Sequence, residues 1–342
     1  MTKPPSTVTD STSPPAPPLP QRVFQRLDDR EFRSGEALAA DLAVTRAAVW
    51  KAVEQLRELG VPLEAQSHRG YRLARGVSAL AADRIASRLP EALRERLEAL
   101  LVEWSLESTN SKLLESLPPS AGNAAVVLAE CQVGGRGRRG RAWVAPPGGG
   151  ICLSIGWQFA EMPSDLSALS LVVGICAAQA LREQGVDVRL KWPNDLVTPR
   201  GKLGGILIEM RAEAGGPVHV VIGIGINVRL DDDARATVAA TGNVADDMSA
   251  LEHIPDRNDI VAALLGRLMP ALERFPRDGF AAWLTRWNDV DALFGRAIRI
   301  DNAGETSRGL ARGVDAHGAL LVEATDGVRR FISGEVTVRE EA

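Results

Sequence analysis

Cysteine is scarce in this chain. Cys131, Cys152 and Cys176 are the only three in 342 residues, an odd number without metal-ligand spacing. That excludes a disulfide framework and points to reduced thiols. A positive balance is lacking too, since 40 Lys and Arg face 44 Asp and Glu for a formal charge of −4. A chain-wide nucleic-acid coat is therefore excluded, and any DNA contact has to come from a local patch. No apolar run reads as a membrane span: the longest, near Leu166 to Leu181, is interrupted by Ser, Gly and Gln and reads as a buried helix. The N-terminus lacks the apolar segment of a signal peptide. The phosphate-binding pattern G-x-x-x-x-G-K-[ST] is absent, which excludes a P-loop enzyme; if ATP is used, it binds another way. These absences together give a cytoplasmic, globular protein, and no metal-ligand set is read from the sequence.

What is present falls into blocks. Residues 1–20, rich in Pro, Ser and Thr, read as a disordered leader. Residues 21–75 hold a short helix begun by Ser34, a tight link, a second helix with Thr45 as N-cap and Gly60 as terminator, and two short strands around a Ser-His-Arg-Gly turn. Val49, Val53 and Leu56 fall on one helical stripe, leaving Arg46, Ala47, Trp50 and Lys51 on the other face. Helix, turn, helix and hairpin form the winged helix-turn-helix pattern, with those four residues as the DNA-reading candidates. The block carries ten Lys and Arg against eight Asp and Glu, a modest +2 that suits a dimer reading two half-sites. A small helical interaction domain is the alternative.

Residues 80–288 mix strands and helices. "AAVVLAECQ" and "ICLSIGWQF" read as strands, the second alternating Ile151, Leu153, Ile155, Trp157 and Phe159 with Cys152, Ser154, Gly156 and Gln158. Further strands are expected at "DVRLKW", "GGILIEM" and "VHVVIGIGINV", with helices at 165–184 and 259–275. The layout is α+β, a mixed or antiparallel sheet with helices on one side. Residues 293–342 are short β segments between Gly, Asp and Asn turns, a small β barrel.

The chemistry concentrates in "AECQVGGRGRRGRAW". Arg136, Arg138, Arg139 and Arg141 lie among Gly134, Gly135, Gly137 and Gly140. Glycine lets backbone N–H groups converge on an anion, and arginine adds planar, permanent donors. Such a loop is expected to repel itself and to stay open until an anion orders it. "KWPNDL" ends a strand on Lys191, a cation suited to charge developing on a carboxylate or phosphate, with Asp195 to hold it or to help bind Mg²⁺. "ESTN" places Ser108 and Thr109 where they cap a helix or line a polar ligand. "GKLGGILIE" and "GIGIN" are strands whose glycines suit the close approach of a ligand or of another backbone.

In this order and spacing the five motifs resemble those of the biotin protein ligases, and with the helix-turn-helix in front they resemble the bifunctional ligases that also repress the biotin operon. The resemblance runs from about Phe24 to the C-terminus. It implies a class II aminoacyl-tRNA-synthetase-like ligase domain and an SH3-like C-terminal barrel. It implies that biotin and Mg-ATP give biotinyl-5′-AMP, that biotin then passes to a lysine of the biotin carboxyl carrier protein of acetyl-CoA carboxylase, and that the adenylate favours a homodimer on operator DNA. By motif, Ser108, Thr109, Asn110 and Gln132 would line the biotin ring. Gly135, Arg136, Gly137 and Arg138 would wrap biotin and the adenylate phosphate. Lys191 and Arg138 would be the critical cations, Gly204, Gly205 and Asn227 would shape the nucleotide side, and Arg312 would reach the nucleotide. The stretch 229–243, where the family covers adenine, has no aromatic residue, so Arg229 or aliphatic contacts would serve. A biotin-sensing repressor without ligase activity and a lipoate or octanoate ligase are the other readings.

Overall fold

The computed structural model describes residues 16–28, 31–212, 216–239, 244–302 and 305–338. Most of the expected leader, residues 1–15, lies outside them. Its last residues already belong to helix α1 (Leu19–Arg26), which Pro20 starts in its first turn and which buries Val23 and Phe24. Helices α2 (Gly35–Leu42) and α3 (Arg46–Glu58) begin where the capping residues placed them. Ser34 Oγ accepts from Ala37 N at 3.0 Å and Thr45 Oγ1 from Ala48 N at 3.2 Å. Val49, Val53 and Leu56 are fully buried, whereas Arg46, Ala47, Trp50 and Lys51 are exposed. Strands β1 (Leu63–Gln66) and β2 (Gly70–Leu73) pair antiparallel as the wing, with His68 in the left-handed region at its tip.

After α4 (Ala82–Ser87) and α5 (Glu91–Arg94) come β3 (Leu97–Leu106), α6 (Thr109–Glu115), β4 (Ala124–Gln132), β5 (Gly150–Phe159) and α7 (Leu169–Glu183). They are followed by β6 (Arg189–Lys191), β7 (Asp195–Thr198), β8 (Gly201–Ala212), β9 (Val218–Asn227), α8 (Asp232–Ala239), α9 (Arg257–Asp278) and α10 (Leu284–Asn288). The seven strands form one sheet in the order β3-β4-β5-β9-β8-β7-β6, antiparallel except for the parallel pair β3–β4. Alternation sends Leu153, Ile155, Ile206, Ile222, Ile224 and Ile226 to one face, into a core shared with α7 and α9. Burying each such side chain contributes about 1.5–3 kcal/mol. By length and composition Leu166–Glu183 also passes as a membrane span, yet 67% of it is buried, as a core helix requires. The expectation of helices on one side is corrected by α6, which packs on the opposite face against β4, β5 and β9 through Leu113, Val127 and Val221. Seven residues with a single buried leucine carry too little apolar periodicity to announce that placement.

The C-terminal strands β10 (Ala297–Asn302), β11 (Glu305–Val314), β12 (Leu320–Ala324), β13 (Gly327–Phe331) and β14 (Glu335–Val338) form an antiparallel sheet in the order β13-β12-β11-β10-β14. It docks on the central unit through its 315–319 turn. Trp192 Nε1 donates to Gly318 O at 3.0 Å, and His317 Nδ1 lies 3.0 Å from Asp165 Oδ1.

Several contacts tie the helix-turn-helix and its linker to the central unit, among them the tilted rings of Phe24 and Trp104 with centroids 5.5 Å apart. Arg257, fully buried on α9, donates to both carboxylate oxygens of Glu130 and through Nε to Ser78 O at 2.9 Å. Glu130 in turn accepts from Leu80 N at 2.7 Å and Gly148 N at 3.1 Å. Arg229 Nη1 donates to Arg75 O at 3.1 Å, so this arginine points at the interdomain linker.

Candidate active site

On the sheet face away from α7 and α9, the same alternation presents Cys152, Ser154, Gly205, Leu207, Gly223 and Gly225. All of them except the fully buried Ser154 border a cavity of about 270 Å³. Small residues are required there. A Cβ on Gly223 would stand 2.5 Å from Asn110 Oδ1, and one on Gly225 2.3 Å from the Trp143 ring. Cys152 belongs to this floor, where burial pushes its thiol up to about 12, so it stays protonated and is no nucleophile at neutral pH.

Helix α6 supplies one wall. Ser108 is its N-cap, with Ser111 N donating to Ser108 Oγ at 3.4 Å, and Ser108, Thr109 and Asn110 are all buried. Gln132 Oε1 accepts from Thr109 N at 2.7 Å. Thus Ser108, Thr109, Asn110 and Gln132 come together as the motifs proposed.

The arginine loop supplies the rim, and its state corrects an expectation. The loop is folded back on itself. Gly137 N donates to Arg141 O at 2.7 Å and Trp143 N to Gly135 O at 2.9 Å, around a short 3₁₀ turn at Arg138–Gly140. Arg136 finds a neutral and an anionic partner, the second being Glu209 Oε1 at 3.6 Å, and Arg138 a neutral one. Arg136 Nη2 donates to Ser111 Oγ at 2.9 Å, and Arg138 Nη1 approaches Asn194 Oδ1 at 3.3 Å. Backbone pairing and these bonds offset the self-repulsion that composition implies. Arg136, Gly137, Arg138, Arg139 and Arg141 all line the cavity. Gly135 does not; its role is to let the hairpin close, since a Cβ there would stand 2.5 Å from Trp143 O.

The β6–β7 hairpin closes the opposite side. Lys191 lines the cavity, and burial holds its ammonium below the usual lysine range, partly countered by Asp195. Arg138 is likewise lowered by burial. Lys202, on β8, also lines the cavity and pairs with Asp195 at 2.6 Å. Sequence reasoning centred on Lys191 and left Lys202 without a role. Its signal was the pairing register, which sets β7 against β8 and brings Asp195 beside Gly205.

Gly205 and Asn227 line the cavity as expected, whereas Gly204 packs against the Gly225 carbonyl behind it. Arg312 does not reach the site. It lies in the register shift of β11 between Ala311 and Val314, and its Nε donates to Glu323 at 2.7 Å. The C-terminal sheet contributes Gly334 and Val336 instead. The stretch 229–243 holds α8, whose Thr237 and Val238 face the cavity in place of Arg229; residues 240–243 lie outside the described part.

The arrangement is a cleft with a glycine-rich floor, a polar wall from α6, a row of cations and a single lining acid among the described residues, Asp195. It suits a small ring at one end and a carboxylate or phosphate at the other.

Comparison with known proteins agrees. Residues 104–227 match the biotin/lipoate A/B protein ligase family, residues 21–72 a helix-turn-helix domain, and residues 293–339 the biotin protein ligase C-terminal domain. The bifunctional ligase/repressor BirA of Salmonella typhimurium is 36% identical over 94% of this chain and 98% of its own length. The chain belongs to the biotin protein ligase family. The biotin–[acetyl-CoA-carboxylase] ligase of Paracoccus denitrificans, a shorter relative, is 32% identical over 67% of this chain and 96% of its own length. The biotin protein ligase from Aquifex aeolicus, solved with biotin and ATP, shares the fold at a TM-score of 0.56. It is 24% identical and aligns with 72% of this chain and all of its own.

Proposed function

We propose that this family member is a biotin–[acetyl-CoA-carboxylase] ligase and a biotinyl-AMP-dependent repressor. In the first step a biotin carboxylate oxygen bonds to the α-phosphorus of ATP, the α–β bridge breaks, and pyrophosphate leaves. In the second, the neutral ε-amine of a carrier-protein lysine attacks the acyl carbon, AMP departs, and the nitrogen loses a proton to solvent. Both steps concentrate negative charge at one place, and the observation that carries this reading is the convergence there of Arg136, Arg138, Lys191 and Lys202. Thr109, Asn110 and Gln132 take the ring, Gly137 and Arg138 flank the phosphate, and Thr237 and Val238 offer aliphatic cover to the adenine.

Mg²⁺ enters with the nucleotide. Among the described residues no cluster of three or more His, Cys, Asp or Glu forms a cage. One carboxylate, Asp195, suits an ion whose other ligands are phosphate oxygens and water. The ion would supply charge neutralisation on the phosphates.

The exposed face of α3 and the wing are the surfaces offered to operator DNA, and a ligand-promoted homodimer would present two copies of them. The reading places the protein in the cytoplasm. A lipoate or octanoate ligase is disfavoured by the arginine loop and the named relatives, and a sensor without catalysis by the intact cation set.

Mg-ATP-dependent transfer of biotin to a carrier-domain lysine is the test. Wild type transfers biotin, and Arg138→Ala, Lys191→Ala and Lys202→Ala each fall by about 100-fold or more. Absence of transfer by folded wild type would overturn the ligase assignment.

A further inference from the structure

Glu209 lies on β8, on the cavity face of the sheet, one alternation beyond Leu207 and outside the lining itself. No motif reading gave it a role. Its two oxygens reach two walls of the site: Oε2 accepts from Asn110 Nδ2 at 2.8 Å, and Oε1 lies 3.6 Å from Arg136 Nη2. The second amide hydrogen of Asn110 approaches Leu207 O at 3.4 Å.

From Asn110 a chain of hydrogen bonds runs across the floor. Ser154 Oγ, fully buried, is 2.6 Å from Asn110 Oδ1 and 2.7 Å from Thr109 Oγ1, which is 3.1 Å from Gln132 Oε1. A carboxylate only accepts, so Asn110 must turn its NH₂ toward Glu209 and its Oδ1 toward Ser154. The one Ser154 hydrogen then goes to Asn110, and the Thr109 hydrogen goes to Ser154. Both lone pairs of Thr109 Oγ1 stay free, and Gln132 Oε1, already accepting from Thr109 N, keeps one. The floor thus offers three acceptor sites. With the Asn110 amide reversed, Ser154 would donate to Thr109 and Thr109 to Gln132, leaving one.

We propose that Glu209 is a positioning residue that sets the direction of the Asn110–Ser154–Thr109–Gln132 chain, so that the floor selects a ligand ring carrying N–H donors over one with none. This rests on the biotin reading. The cyclic urea of biotin has two N–H groups, whereas the dithiolane of lipoate has none. A site built to accept hydrogen bonds discriminates far more strongly against a ligand lacking donors than an apolar pocket does.

The test is calorimetric titration of biotin and of lipoate into wild type, Glu209→Gln, Glu209→Asp and Ser154→Ala, with unfolding midpoints and biotin kinetics alongside. Glutamine keeps the shape but can also donate, so it releases the direction of the chain. Glu209→Gln is expected to weaken biotin by about tenfold, the cost of one or two hydrogen bonds, with the loss in KM rather than kcat. Lipoate binding should stay at its wild-type level and Glu209→Asp should recover most of the biotin affinity. Ser154→Ala breaks the same chain, so the double variant should lose no more than the worse single one. Equal biotin affinity in wild type and Glu209→Gln, parallel losses for both acids, or additive losses in the double variant would each overturn the proposal. Failure of wild type to bind biotin at all would instead overturn the ligase reading on which it rests.

Discussion

One sheet shows two faces made from the same strands by the same alternation, and they are built to opposite ends. Toward α7 and α9, the side chains of Leu153, Ile155, Ile222, Ile224 and Ile226 are buried in one continuous apolar core. Toward the cavity, their neighbours Cys152, Gly223 and Gly225 leave space unfilled. Stability resides on the first face and recognition on the second, and a residue one position along β5 or β9 changes sides. The core face nonetheless holds the buried pair Glu130–Arg257, which joins the interdomain linker to the strand that leads into the arginine loop.

That pair is the most sensitive point of the core face. Arg257→Met leaves Glu130 buried without its cation and is expected to cost about 3–5 kcal/mol of stability in chemical denaturation. A loss below about 1 kcal/mol would mean that backbone donors alone suffice for the carboxylate.

A smaller effect sharpens the cavity side. Burial holds Lys191 below the usual lysine range, and a bound anion, favouring the charged form, raises it again. Affinity for the adenylate should therefore be constant below the Lys191 pKa of the free protein. It should fall as pH rises through that value, by up to about tenfold per unit, until the higher pKa of the complex is passed. Titration calorimetry of wild type and Lys191→Arg over an alkaline pH series checks this, because arginine keeps its charge and its profile should be flat.

Much of this could be read from the residues. Ser34 and Thr45 announced two helices because a hydroxyl before an apolar-periodic run answers orphan N–H groups. The alternation of "ICLSIGWQF" announced both faces of β5. The motifs located most of the cavity. What escaped had physical causes. Strand β3, "LEALLVEWSL", mixes Leu and Glu in a way that imitates a helix, because it is a partly exposed edge strand. Helix α1 was hidden by the prolines around its start. Arg312 was carried over from a motif resemblance, and its guanidinium pairs with Glu323 on the neighbouring strand instead of lining the cavity. Lys202 and Glu209 depend on which strands become neighbours, and no local pattern encodes that.

The contrast between the faces is tested most directly by crossing two substitutions on adjacent residues of β9, Ile224→Ala and Gly225→Ala, and measuring the unfolding free energy and biotin affinity of each. Ile224→Ala should lose about 2–5 kcal/mol of stability while its folded fraction binds biotin within about threefold of wild type. Gly225→Ala displaces Trp143 and should weaken biotin by about 10- to 100-fold with a smaller change in stability. The reverse pattern, or equal losses of both properties in both variants, would contradict the division of the sheet into a stabilising face and a binding face.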